Sequence, residues 1–238
     1  MKACIASYFM PNIHPKTVEL QQAVVKKFNP LNLRHIVIRG QIPHGMFMDY
    51  VWSLNGQMVS TLKDQTINKQ LDFDVVLFLD IDCIPVSQNA IEIYLTRALE
   101  GSLIGNAQRS GHIKNNNHLF AAPSALALSA SNFDKIGRPS GIETTRGDVA
   151  EEYTYAAEAN SVSVDFVPPV RYDRDVYRYD WETDRRPYWT LENGLPNYAL
   201  GTTYGNKVEG DLFWHNFQIR VEGQQEHFWK KCEELLNG

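Results

Sequence analysis

The chain has 238 residues, of which 43% are hydrophobic and 21% are charged, and its formal net charge is -5. This composition is typical of a globular protein, and the acidic balance gives no general attraction to nucleic acid or to acidic membranes. No run of about 18 apolar residues is present, so we expect no stable membrane insertion. The three cysteines are widely spaced and form no metal-ligand pattern, which favours a reducing, cytoplasmic location.

Hydrophobic periodicity predicts alternating strands and helices along the chain. The strand at residues 3–9, the helix at 17–28 and the strand at 35–38 form a βαβ unit, which is the usual start of a doubly wound sheet. Further strands are predicted at residues 75–79, 103–107, 120–129 and 162–167, and further helices at 46–58, 61–71, 88–100, 131–136, 144–160 and 222–236. The pattern predicts an α/β fold with a mostly parallel central sheet flanked by helices.

The most informative stretch is the apolar run from Val75 to Leu79, which ends at Asp80 and Asp82. An apolar run without alternation predicts a strand that is buried on both faces. Ligands of open α/β sheets bind beyond the carboxyl ends of the strands, so both carboxylates lie where chemistry is usually done. Because two carboxylates repel each other, they indicate a shared proton or a hard divalent ion. A polar strand end, with Asp82 opening a turn, is the alternative without a chemical role.

The sequence Leu-Asp-Ile-Asp-Cys-Ile-Pro at residues 79–85 resembles the Asp-x-Asp motif of GT-A-fold glycosyltransferases. The resemblance is close over residues 75–85 and loose over residues 3–220. It implies a Rossmann-like GT-A fold in which Asp80 and Asp82 hold Mn²⁺ (or Mg²⁺) against the diphosphate of a nucleotide-sugar donor. Haloacid-dehalogenase-like phosphatases carry a similar strand followed by Asp-x-Asp-x-Thr/Val, with Thr or Val at the fifth position of the motif. Here Ile84 stands at that position, and the motif lies well inside the chain.

The same resemblance implies further residues of the donor site. In GT-A enzymes the end of the first strand cradles the nucleotide, which makes Ser7, Tyr8 and Arg39 candidates. Many of these enzymes place a late histidine beside the Asp-x-Asp and a basic residue on the diphosphate. His215 and Arg220 match that pattern in type and position, and manganese accepts an imidazole ligand. A core-edge histidine between aromatic residues is the alternative for His215.

The helix predicted at residues 144–160 carries the candidates for acid-base chemistry. Inverting GT-A enzymes hold the base that deprotonates the acceptor hydroxyl at the start of such a helix, and Asp148 aligns best with it. Glu151 and Glu152 are neighbours that could substitute, although the Glu-Asp pair of the family is not reproduced. Asp148 with Glu151 three residues later also forms a capping box, so a purely structural interpretation stays open.

Residues 171–186 interleave five arginines and five acidic residues with aromatic rings. The balanced charges argue against a nucleic-acid-binding stripe. The rings favour equally a wall against a sugar or acceptor and a small packed subdomain.

We therefore expect a single domain over residues 1–238, with a nucleotide-binding half at 1–107 and an acceptor-side half at 108–238. The expected activity is that of a hexosyl- or pentosyltransferase acting on a hydroxyl acceptor. That acceptor is a saccharide, a protein or a modified DNA base, so nucleic acid enters only as an acceptor substrate. Two alternatives stay open: a phosphatase with Asp80 as nucleophile and Asp82 as acid and base, and a non-catalytic nucleotide-sugar-binding module.

Overall fold

The computed structural model describes residues 2–56, 72–109, 118–173, 201–217, 219–220 and 223–238. Within these residues the strands are β1 (Ala3–Phe9), β2 (Arg34–Arg39), β3 (Val75–Asp80), β4 (Cys83–Pro85), β5 (Ser102–Arg109), β6 (Leu119–Ser129), β7 (Ser163–Val167), β8 (Pro169–Tyr172), β9 (Thr202–Asn206) and β10 (Gly210–His215). The helices are α1 (Pro15–Lys27), α2 (Met46–Leu54), α3 (Ala90–Leu99), α4 (Ala130–Lys135), α5 (Glu151–Ala159) and α6 (Gln224–Asn237). The helix predicted at 61–71 and residues 174–186 of the arginine-rich stretch lie outside the described residues.

A six-stranded sheet with the order β2-β1-β3-β6-β5-β7 forms the centre of the fold. β1 pairs in parallel with β2 and β3, and β5 pairs in parallel with β7. β6 runs antiparallel to its neighbours β3 and β5, so the other strands of this sheet all point the same way. The predicted α/β fold with a mostly parallel central sheet is confirmed.

The middle strand, β3, is buried on both faces. Val76 and Phe78 face a core that includes side chains of α2 and α5, whereas Val75 and Leu77 face a core that includes α3. All four side chains are fully buried, and burial of each stabilises the fold by about 1.5–3 kcal/mol. The end of β3 is therefore held firmly in the centre of the sheet.

A second sheet, with the order β4-β10-β9-β8, is antiparallel throughout. β4 begins directly after the turn that follows β3. Because β10 pairs with β4, His215 lies opposite Cys83. This pairing brings a strand from late in the chain to the turn that carries Asp82.

The helices differ in detail from the sequence pattern. α5 begins at Glu151 rather than at 144, because residues 144–150 form a loop in which Ala150 has a φ of 64°. β5 extends through Gln108 and Arg109, two residues beyond the strand predicted at 103–107. None of the described helices combines the length and the apolar character needed to cross a bilayer.

Candidate active site

Asp80 and Asp82 lie where β3 ends and the chain turns into β4. The buried carboxylate of Asp82 accepts a hydrogen bond from the backbone N–H of Ile219 at 3.3 Å. The carbonyl oxygen of Asp82 accepts a second one from the N–H of Asn216 at 2.9 Å. These bonds tie the turn to the segment that follows β10.

His215, the last residue of β10, lies beside Asp82. Its Nε2 atom is 3.2 Å from Oδ1 of Asp82, and both side chains are buried. The structure thus places His215 beside the Asp-x-Asp motif, where the family resemblance puts a late histidine.

Asp80, Asp82 and His215 form a group whose ligand atoms all lie within 4.8 Å of one another. Metal–ligand distances of about 2.0–2.6 Å put the ligand atoms of one ion up to about 5 Å apart, so the group fits a single divalent ion. Carboxylate oxygens are ligands for hard divalent ions, and an imidazole nitrogen is a ligand for first-row transition metals. In the part of the chain that the structure describes, no other cluster of acidic, histidine or cysteine side chains has this spacing.

Asp82 and His215 each favour the charged form of the other. Burial alone would raise the pKa of Asp82, but His215 and the N–H of Ile219 hold that pKa below its ordinary value. Burial would lower the pKa of His215, but the charges of Asp82 and Asp80 hold that pKa above its ordinary value. The pair therefore favours a carboxylate beside an imidazolium, and an ion bound at Nε2 would displace the imidazole proton.

These residues lie on the wall of a cavity of about 210 Å³. Tyr8, Asp148 and Arg220 line the same cavity, so the beginning, middle and end of the chain meet there. Much of the remaining lining is apolar and includes Phe120 and Pro123 of β6. An apolar cavity with a few convergent polar groups is typical of a small-molecule site.

The pairing of β5 with β6 is irregular beside this cavity. Gly105 lies opposite Leu126, but the next residue, Asn106, lies opposite Ala122. One step along β5 thus corresponds to four steps along β6, and the bulge contains Pro123 of the cavity wall. β6 covers the strand predicted at residues 120–129, and Phe120 and Pro123 of this strand line the cavity.

The structure separates the three acidic candidates near the start of α5. Asp148 lines the cavity. Glu151 is fully buried, accepts the N–H of Asp148 at 2.7 Å and lies 2.8 Å from Nδ1 of His118. Glu152 pairs with the exposed Arg146 at 2.5 Å. Glu151 thus bonds back to the N–H of Asp148, as in a capping box. Asp148 is not the N-cap, because α5 has Ala150 at that position without a side-chain cap, and Asp148 borders the cavity instead.

The candidates at the ends of β1 and β2 also lie in different environments. Tyr8 lines the cavity, and its hydroxyl donates to the carbonyl oxygen of Gly40 at 2.9 Å. Ser7 is fully buried, with its Oγ atom 3.0 Å from Nε2 of His35, and Arg39 is exposed. Neither Ser7 nor Arg39 belongs to the cavity lining. The structure thus brings Tyr8, but not Ser7 or Arg39, to the carboxylates.

His44 is a polar cavity residue for which the sequence gives no signal, because it lies in a loop without periodicity. Its Nε2 atom is 3.2 Å from Oδ1 of Asp80, and its ring stacks against that of Tyr8. Desolvation would lower the pKa of His44, but the hydrogen bond with Asp80 and the charges of the nearby carboxylates hold it above its ordinary value. Only the folded chain identifies this residue.

No protein-family model and no curated protein sequence matches this chain. The solved catalytic domain of Drosophila beta-1,4-galactosyltransferase 7 in complex with xylobiose is 12% identical, with a TM-score of 0.47 over 95% of this chain and 79% of that one. A mutant of the Drosophila enzyme in complex with manganese, UDP-Gal and xylobiose is 11% identical, with a TM-score of 0.41 over 77% and 74% of the two chains. A protein of Desulfovibrio desulfuricans, described as a candidate nucleotide-diphospho-sugar transferase, is 11% identical, with a TM-score of 0.43 over 100% and 98%. Two of these structures are thus of a galactosyltransferase, and the third is described as a nucleotide-diphospho-sugar transferase.

Proposed function

We propose that this protein is a metal-dependent glycosyltransferase that moves a sugar from a nucleotide diphosphate sugar to a hydroxyl acceptor. The observation that carries the proposal is the convergence of a possible ion site (Asp80, Asp82 and His215) with Arg220 and Asp148 on one cavity. Such a transfer needs an ion site, a cation for a diphosphate and a carboxylate base, all at one place.

The donor diphosphate would lie between the Asp-Asp-His group and Arg220. A divalent ion held by that group, Mn²⁺ or Mg²⁺, would neutralise the charge that develops on the leaving diphosphate. Arg220 offers a planar guanidinium that matches phosphate oxygens, and Tyr8 offers an aromatic wall. These side chains hold the donor in a largely apolar cavity, where electrostatic contacts are stronger than in water.

Asp148 is the base in this scheme. It accepts the proton of the acceptor hydroxyl while that oxygen bonds to the anomeric carbon of the sugar. The bond from this carbon to the diphosphate breaks, and its electron pair leaves with the diphosphate. The N–H of Val149 donates to Oδ1 of Asp148 at 2.7 Å, which orients the carboxylate. Residues 1–107 would form the nucleotide-binding half, and residues 108–238 would form the acceptor-side half.

The contacts of Asp82 favour this function over a phosphatase. A phosphatase would use Asp80 as nucleophile and would need Asp82 to donate a proton to the leaving group. Asp82 is buried against His215 and Ile219, and its pKa is held low, which makes it a poor proton donor. A non-catalytic binding module would retain the ion and donor contacts but would need no base at Asp148.

A thermal-shift screen of nucleotide sugars, with MnCl₂ or with EDTA, tests the proposal. A ligand raises the melting temperature only when it binds the native state better than the unfolded one. We expect at least one nucleotide sugar to do so in Mn²⁺ and not in EDTA, and Asp82→Asn to abolish the shift. The same shift in the variant, or none in the wild type, would contradict the proposal. Phosphate release from simple esters would favour the phosphatase, and donor binding without transfer would favour the binding module.

A further inference from the structure

The two carboxylates of the proposed ion site are held in different ways. Asp82 contacts His215 and the backbone of Ile219, both from the late part of the chain. Asp80 contacts the side chain of His44, from the loop before α2, at 3.2 Å. Nε2 of His44 can donate a hydrogen bond to Oδ1 of Asp80, because a carboxylate accepts hydrogen bonds.

The ring of His44 is held by its neighbours. It stacks against Tyr8 and Phe47, with interplanar angles of 27° and 18°. The next residue, Gly45, has a φ of 89° and lies so close to Gly141 that a Cβ atom at 45 would be 2.1 Å from the carbonyl oxygen of Gly141. His44 is thus presented to Asp80 from a loop whose path leaves no room for a side chain at the next position.

The loop of His44 is also connected to the loop that carries Asp148. The carbonyl oxygen of Gly141 accepts the N–H of Ala150 at 2.9 Å. The carboxylate of Asp49, buried in α2, accepts hydrogen bonds from the N–H of Gly141 at 2.7 Å and from Oγ of Ser140 at 2.6 Å. Gly141 therefore contacts Gly45 in one loop and Ala150 in the other.

His44 lies next to the group of ligand atoms without belonging to it. In the described part of the chain, the group that fits one ion consists of Asp80, Asp82 and His215. A hydrogen bond to one lone pair of a carboxylate fixes the direction in which its remaining lone pairs point. Partners of this kind typically change metal affinity by about 10- to 100-fold when they are removed.

From these contacts we propose that His44 is a positioning residue that orients the carboxylate of Asp80 toward a divalent ion. The inference rests on the proposed function, because it needs the ion site, and it adds a residue that the sequence pattern does not contain. The positioning role requires the N–H of His44 as a hydrogen-bond donor to Asp80. An aromatic ring that only stacks on Tyr8 would not orient the carboxylate.

Calorimetric titration of the purified protein with Mn²⁺ alone tests this role. We expect His44→Ala to weaken Mn²⁺ binding about 10- to 100-fold. His44→Phe, which keeps the stack on Tyr8 but loses the donor, should weaken it to a similar extent. His44→Gln, which keeps a donor, should recover most of the affinity. Melting temperatures measured without metal identify any variant that fails to fold. The Mn²⁺ affinities of His44→Phe and His44→Gln then show whether the hydrogen-bond donor or the stacked ring is needed.

Electron spin-echo envelope modulation of the Mn²⁺-loaded protein distinguishes a positioning residue from a ligand, because it detects directly bound nitrogen. The nitrogen signal should persist in His44→Gln and disappear in His215→Ala. Loss of the signal in His44→Gln, or wild-type affinity in both His44→Ala and His44→Phe, would overturn the inference and leave the proposed function standing. Failure of the wild type to bind Mn²⁺ would overturn both.

Discussion

Asp82 and His215 are 133 positions apart in the chain, yet Oδ1 of the first lies 3.2 Å from Nε2 of the second. The antiparallel pairing of β10 with β4 produces this contact, because it sets His215 opposite Cys83, the residue after Asp82. The proposed ion site is therefore complete only when the late strand has joined the strand that follows β3.

Replacing His215 tests whether this contact serves an ion. His215→Ala should weaken Mn²⁺ binding about 10-fold or more, since it removes one of three ligands. Excess Mn²⁺ should partly restore donor binding. His14→Ala is a suitable control, because His14 is exposed at the start of α1 and lies outside the cavity lining. Equal Mn²⁺ affinity of His215→Ala and the control would place His215 outside the ion site.

Replacing Asp148 tests whether this residue acts as a catalytic base or only stabilises the start of α5. Asp148→Asn should lower the turnover rate far more than the affinity for the donor, since the base acts on the acceptor in the transition state. The control Glu152→Gln alters a carboxylate that pairs with Arg146 away from the cavity, and its rate should stay near that of the wild type. If Asp148 serves only the helix start, Asp148→Asn should keep its rate and lose about 1 kcal/mol of stability at most.

The centre of the fold could be predicted from sequence because its signal is local. The apolar run of β3 is uninterrupted, and the two carboxylates follow it immediately, so a single window contains both the strand and its functional end. His215 and Arg220 were found only through the family resemblance. The pairing of β10 with β4 joins distant segments of the chain, and hydrophobic periodicity does not predict which strands pair.

The residues that sequence reasoning misplaced or missed are those whose roles depend on tertiary contacts. His44 reaches Asp80 because Gly45 packs against Gly141, and nothing near residue 44 in the sequence indicates that packing. Asp148, Glu151 and Glu152 lie within five residues of one another in the sequence. In the structure Asp148 lines the cavity, whereas Glu151 is fully buried in the first turn of α5, which begins after the positive φ of Ala150.

The close contact between Gly45 and Gly141 should make position 45 intolerant of a side chain. Gly45→Ala should destabilise the protein by clearly more than the roughly 1–2 kcal/mol that a left-handed conformation costs an alanine, because its Cβ atom would collide with Gly141. Gly137→Ala is a matched control, with a φ of 81° and no atom within 4 Å of the added Cβ. Urea denaturation measures the free energy of unfolding of both variants. An equal decrease in both would show that the loop accommodates the Cβ atom at position 45 without further destabilisation.

His118 should give the stability a pH dependence. Desolvation lowers the pKa of His118, but hydrogen bonds to Glu151 and Glu158 outweigh it and raise that pKa above its ordinary value. A pKa that is higher in the folded state means that this stabilisation is complete below about pH 6.5, the pKa of a free imidazole, and is lost as the pH rises through the raised pKa.

The matched variant for this effect is His118→Gln. Its free energy of unfolding, from urea denaturation, should fall below that of the wild type by about 1.5–3 kcal/mol near pH 6. The difference should be smaller near pH 9, where the wild-type imidazole is neutral. A difference that stays the same at both pH values would show that the charge of His118 makes no contribution.

The central claim is that an ion held by Asp80, Asp82 and His215 binds the diphosphate of the donor. Calorimetric titration with a panel of nucleoside diphosphates, in Mn²⁺ and in EDTA, measures this directly for the wild type and for Asp82→Asn. We expect at least one nucleoside diphosphate to bind the wild type in Mn²⁺ and to lose about 10-fold or more in affinity in EDTA. Asp82→Asn in Mn²⁺ should show a similar loss. A nucleoside diphosphate that binds equally well in Mn²⁺, in EDTA and to the variant would contradict the account.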